Sequence, residues 1–271
     1  MKINYNYHTH TRRCGHAVGT DEEYVVNAIK AGIKILGFSD HAPYKEPNPS
    51  ERMNYNQYGD YVASIEHLRE KYKDQIKILL GLEIEYFPSQ IEDLVSYRNK
   101  MDYLILGQHM SEIDGRNNYY IKKPQDLIEY AEALESACNI GLVDVIAHPD
   151  LFMFGYPKWD SHCERATNII IDACLANDVA LELNCGGIKY GDLVYEDGDR
   201  PAYPHPKFFE IVKERNCPIV LGLDTHDPAH FLDDKWVNNT LAIVKDLDLN
   251  ILSEYDILES ANSKKKKIFN Y

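Results

Sequence analysis

The chain has 271 residues, 44% of them hydrophobic and 27% charged, which suits one sizeable core and the length of a single-domain α/β barrel. Its net charge of −14 argues against nucleic acid or an anionic membrane as partner, because either demands a basic surface. Six cysteines without a Cys-x-x-Cys pair, no signal peptide and no membrane-length apolar run predict reduced thiols in a cytosolic protein.

Strand and helix alternate along the whole chain. After a first short strand ending near Tyr7, Thr20-Asp21-Glu22-Glu23 has the form of a capping box, and the helix it opens runs through Val25, Ala28 and Ile29 to a stop at Gly32. Further helices are predicted over 58–73, 90–99, 124–140, 163–176, 206–215 and 235–245. Between them lie apolar runs near 35–40, 77–84, 103–108, 143–147, 179–184 and 218–223. These runs are continuous rather than alternating, the pattern of strands covered on both faces. With the first strand they make seven β/α units, predicting a distorted (β/α)7 barrel, similar to a TIM barrel, in one domain spanning residues 1–271. Two loops on the expected active face, 42–56 and 185–204, are long enough to cover a site. The lysine run 264–267 reads as the solvated end of a terminal helix.

The histidines are not scattered. His8 and His10 follow the first strand, with His16 six residues on, and His41, His109, His148 and His226 each stand at or beyond the end of a later one. Glu83 and Asp224 occupy equivalent positions. One histidine at a strand end is usually an ordinary hydrogen-bonded residue. Repetition over at least six strands is different, since parallel α/β barrels gather the ends of all their strands on one face. Imidazole nitrogen and carboxylate oxygen are the donors that a borderline divalent cation prefers, so a polynuclear metal site is expected there. Cys14, in the same loop as His16, reads as a bystander. His67, His162, His205 and His230 fall outside the pattern.

The series His8-Thr9-His10, His16, Ser39-Asp40-His41, Gly81-Leu82-Glu83, His109, Ala147-His148-Pro149 and Asp224-Thr225-His226 resembles the motifs of the polymerase and histidinol phosphatase (PHP) family. Asp40-His41-Ala42-Pro43 and Gly81-Leu82-Glu83-Ile84-Glu85-Tyr86 are most similar to its histidinol-phosphate phosphatases. The resemblance implies three divalent ions, zinc, iron or manganese. One would be held by His8, His10, Glu83 and Asp224, a second by Glu83 as a bridge with His109 and His148, and a third by His16, His41 and His226. Asp40 and Asp150, adjacent to ligands in the sequence, are candidates to orient them from behind, with a solvated or helix-capping role as the alternative. Arg165 and Arg200 would bind the substrate phosphate, with Arg12 and Arg13 as alternatives.

The activity so implied is hydrolysis of a small phosphate monoester, L-histidinol phosphate, in histidine biosynthesis. A hydroxide shared by two ions and held by Glu83, His8, His10, His109, His148 and Asp224 would attack phosphorus. The alternative within the same family is a phosphodiesterase or exonuclease acting on nucleotides, which would call for a basic groove and aromatic stacking platforms. A non-catalytic metal module fits less well, because structural sites are closed by four ligands. The oligomeric state is left open.

Overall fold

The computed structural model describes residues 4–45 and 47–268. Strands β1 (Tyr5–Asn6), β2 (Ile35–Phe38), β3 (Lys77–Ile84), β4 (Tyr103–Leu106), β5 (Val145–Ile146) and β6 (Ala180–Asn184) are succeeded by a hairpin of β7 (Leu193–Tyr195) and β8 (Gly198–Arg200), and then by β9 (Ile219–Gly222). Apart from the hairpin, all pair in parallel in chain order, giving the expected seven-stranded, nearly closed barrel. Helices α1 (Asp21–Ala31), α2 (Tyr58–Lys71), α3 (Ile91–Lys100), α4 (Pro124–Asn139), α5 (Ser161–Asn177), α6 (Pro206–Glu214) and α7 (Lys235–Ile243) follow the barrel strands in turn. A last helix, α8 (Ile257–Ile268), lies at the base. Among the described residues no helix is long and apolar enough to cross a membrane.

Local chemistry sets these boundaries. The Thr20 hydroxyl accepts from the Glu23 amide while the Glu23 carboxylate accepts from the Thr20 amide at 2.6 Å, and Gly32 ends α1 in the left-handed region at φ 82°. Inside the barrel, Tyr5, Tyr7, Leu79, Tyr103, Ile105, Val145 and Val220 pack together with Ile257 and Ala261 of α8 beneath them. The Tyr103 hydroxyl donates to the Tyr7 carbonyl at 2.7 Å. A Cβ at Gly37 or Gly81 would fall 2.3 or 2.5 Å from Tyr103 side-chain atoms, so glycine at both positions lets that ring cross the interior. Among the described residues, the seam between β9 and β1 has one backbone bridge, Thr9 to Thr225, and the Asn6 side chain accepts from the Leu223 amide at 2.9 Å.

Two expectations change. The 185–204 segment is not simply a covering loop: it holds the β7–β8 hairpin, built on Glu196-Asp197. The lysine run is not a solvated end throughout. Lys264 is fully buried, its Nζ donating to the Asp178 carbonyl at 2.8 Å and Ser260 Oγ at 2.6 Å, 3.6 Å from the Asp144 carboxylate that also pairs with Arg98. Two buried cations flanking one carboxylate tie α8 to the floor of the barrel.

Candidate metal centre

Glu83, at the end of β3, is the point on which the strand ends converge. Its Oε2 lies 2.9 Å from His41 Nδ1 and 3.5 Å from both His8 Nε2 and His10 Nε2. Its Oε1 faces the other way, 3.0 Å from His148 Nε2 and 3.6 Å from His109 Nε2. Asp224 Oδ1 closes the first group, 3.5 Å from His8 Nε2 and 3.3 Å from His10 Nε2. The loop after β1, turned at Thr11 and at Gly15 (φ 85°), brings His16 to within 4.5 Å of the His226 ring, which itself stacks on His10 at 4.0 Å. All nine strand-end residues singled out in the sequence therefore share one cluster.

Donor groups with atoms mutually within 4.8 Å include His8–His10–Glu83 and His16–His41–His226, as in the expected partition. Others cut across it: His41–Glu83–His109, His8–His148–Asp224 and His10–Cys14–His226. Cys14 is thus closer to the cluster than its sequence position suggests, although burial, with Asp40 second, pushes its thiol pKa up and keeps it protonated.

The donor set suits divalent cations. Glu83 Oε2, His10 Nδ1, His109 Nδ1, His148 Nδ1 and His226 Nε2 are buried without a hydrogen-bond partner, a concentration of unmet polar atoms that a bound cation could satisfy in part. Burial opposes ionisation of Glu83 and Asp224, yet the surrounding imidazoles outweigh it and hold both carboxyls well below their usual range. Burial pushes the pKa of His41, His109 and His226 down, towards the neutral form whose lone pair a cation needs. His8 is the reverse case: burial opposes protonation, but Glu182, Asp224 and Glu83 hold its pKa well above the ordinary value.

Of the two aspartates expected behind the ligands, Asp40 stands 3.6 Å from His10 Nδ1, accepts from the His41 amide at 2.9 Å and is bonded to the Thr11 hydroxyl. Asp150 follows the other reading and stands at a helix start. Its Oδ2 accepts from the His205 amide at 2.6 Å at the start of α6, and burial pushes its pKa up to about 6.

Beside the cluster opens a cleft of about 290 Å³, whose walls include Glu51, Asn117, Tyr119, Phe154, Lys189 and Tyr190. A larger cavity, about 610 Å³, sits at the seam between β1 and β9 and contains none of the nine clustered residues. The arginines expected to bind phosphate line neither. Arg165 is exposed on α5, while Arg200 is held by Asp197 at 3.2 Å and covers the Tyr195 ring at 3.8 Å. Nor do Arg12 and Arg13 line the cleft, and Arg13 is paired with Asp21 and Asp60. Among the described residues, the cation in the cleft wall is Lys189, in the turn after β6. The neighbouring Arg52 is bonded through two nitrogens to Glu85 at 2.7 and 2.5 Å.

Residues 6–186 match the PHP domain. The chain belongs to the PHP family. A PHP relative from Deinococcus radiodurans named probable histidinol-phosphatase is 30% identical over 243 residues, covering 82% of this chain and 86% of its own. The histidinol-phosphatase of Bacillus subtilis is 23% identical over 257 residues, covering 81% and 92%. Among solved structures, the histidinol phosphate phosphatase of Lactococcus lactis, complexed with zinc, L-histidinol and phosphate, matches the fold with a TM-score of 0.71 at 19% identity, over 95% of this chain and 98% of that one.

The sequence reading missed Glu182. This carboxylate sits in β6, where an acidic residue inside the otherwise apolar run Ala180-Leu181-Glu182-Leu183 was the available signal. It is 2% exposed and accepts from His8 Nδ1 at 2.9 Å.

Proposed function

We propose that this PHP protein is a metal-dependent phosphomonoesterase that hydrolyses L-histidinol phosphate to L-histidinol and inorganic phosphate. The observation that carries the reading is the placement of Glu83, whose two oxygens face separate groups of imidazoles at the wall of a cleft sized for a small molecule. The names of the relatives from Deinococcus and Bacillus, and the ligands of the Lactococcus structure, support the choice of substrate.

Divalent ions held there, three in the fullest form of the reading, would supply a water of lowered pKa and neutralise charge on the phosphoryl group. His8, His10, Glu83 and Asp224 would hold one ion, Glu83, His109 and His148 a second, and His16, His41 and His226 a third. Nitrogen and oxygen donors accept zinc, iron or manganese. Lys189 takes over the phosphate role expected of Arg165 and Arg200, contacting phosphoryl oxygens from the cleft wall. Tyr119, stacked on His109 at 5.8 Å, shields the cluster from bulk water on that side.

The test is a panel of phosphate esters presented to zinc-, manganese- and iron-loaded protein. Histidinol phosphate should give the highest kcat/KM, with monoesters far ahead of diesters. A cyclic nucleotide or an oligonucleotide turned over much faster would transfer the protein to the nucleotide-cleaving branch of the family.

A further inference from the structure

We infer that Glu182 is a positioning residue that fixes two members of the metal centre at once, the ring of His8 and the backbone of His148. The inference rests on the metal reading above. Glu182 Oε1 and Oε2 lie 2.9 and 3.1 Å from His8 Nδ1, which fixes a proton on Nδ1 and leaves Nε2 as the nitrogen that faces His10, Glu83 and Asp224, where a cation would displace any proton it carries. Oε2 also accepts from the His148 amide at 3.1 Å and from Asn184 Nδ2 at 2.6 Å. His148 has φ 31°, a left-handed conformation that residues with a Cβ seldom adopt, and the carboxylate tethers it there.

The packing around Glu182 fits this task. It points from β6 into the space beside Gly222 of β9, two residues beyond its own register partner Val220. A Cβ on Gly222 would lie 1.6 Å from Glu182 Oε1, so this glycine provides the room that the carboxylate occupies. β1, β5, β6 and β9 thereby meet at one buried side chain, and the orientation of His8 and the path of the β5 end depend on it together.

A carboxylate with only a packing role would affect folding stability and leave metal affinity unchanged. A positioning carboxylate acts on affinity in the folded protein, and loss of such a partner weakens binding by roughly 10- to 100-fold. Zinc affinity is therefore measured by chelator competition on wild type, Glu182→Gln and Gly222→Ala, each checked for fold by circular dichroism. Histidine ¹⁵N NMR of the zinc-loaded proteins reads the His8 tautomer. Both variants should bind at least one zinc 10- to 100-fold more weakly, the Nδ1–H signature of His8 should be lost or exchange-broadened, and excess zinc should restore most of kcat.

Wild-type affinity in a folded Glu182→Gln protein would overturn the inference and leave the metal reading intact. Absence of zinc binding by wild type would overturn the metal reading itself. Loss of the fold in both variants would assign Glu182 to the core and overturn the inference as well.

Discussion

Glu83 offers two oxygens to five imidazoles, an arrangement that hydrogen bonding alone does not satisfy, since Oε2 has no hydrogen-bond partner although three rings face it. Glu83→Gln retains the shape and removes the charge. Two charge-assisted contacts at about 2 kcal/mol each predict a fall in kcat/KM on the order of a thousand-fold, together with lower metal content by elemental analysis. Full metal content with near-normal turnover would exclude a bridging role, and His67→Ala, exposed on α2, serves as the control that changes neither. For Lys189, one phosphate contact predicts a loss in kcat/KM of about ten- to a hundred-fold in Lys189→Met, with weaker inhibition by inorganic phosphate, unchanged metal content and partial recovery in Lys189→Arg. Arg200→Ala should leave phosphate inhibition unchanged and lower only stability. If Arg200→Ala weakens phosphate inhibition and Lys189→Met does not, the two roles are exchanged. The histidines were legible because position relative to a strand end is itself a periodic signal. Lys189, Arg165 and Arg200 were not, since which loop cation faces the cleft depends on how a turn and a hairpin pack. Glu182 was hidden by averaging, one acid within a run that counts as apolar.

At the level of elements, His205 shows how a helix start carries a pH dependence. It caps α6, its Nδ1 accepting from the Lys207 amide at 3.3 Å, and its ring stacks on Trp159 at 4.9 Å. Burial first, and Arg200 second, push its pKa down to about 4. A histidine with a lowered folded-state value binds fewer protons than the unfolded chain, whose value is about 6.5, so stability falls as pH drops below about 6.5 and stops falling near 4. From pH 7.5 to pH 5 this single group costs about 2 kcal/mol. His205→Asn keeps a capping acceptor and does not titrate, so urea unfolding should show it losing about 2 kcal/mol less than wild type over that interval. Equal losses in the two proteins would place the acid sensitivity elsewhere. The helices were legible to within two residues because Thr20, Pro124, Pro206 and Gly32 are local stop and start signals. The hairpin was not, since Leu193–Tyr195 and Gly198–Arg200 are too short for a period-two pattern.

For the whole molecule, the barrel draws proposed metal donors from the ends of β1, β2, β3, β4, β5 and β9, so bound ions would join elements that the sheet itself joins weakly at the β9–β1 seam. Without ions, the two buried carboxylates Glu83 and Asp224 have imidazoles opposite them, and burial shifts His41, His109 and His226 towards the uncharged form. Removing the ions should therefore weaken the upper face more than the base, where Arg98, Asp144 and Lys264 close the floor independently of any ligand. A ligand that binds only the folded state at a hundred times its Kd adds about 2.7 kcal/mol per site. At about 2–4 °C per kcal/mol for a chain of this size, chelation should lower Tm by roughly 5–10 °C for each tightly bound ion. Amide hydrogen exchange should rise after chelation at His10 and Thr225, whose amides bond across the seam beside the cluster, and stay constant at Leu104 and Ala180, whose amides bond at the base. Zinc should reverse both effects. An unchanged Tm, or exchange that rises equally at top and bottom, would mean that the cluster does not couple metal binding to closure of the barrel.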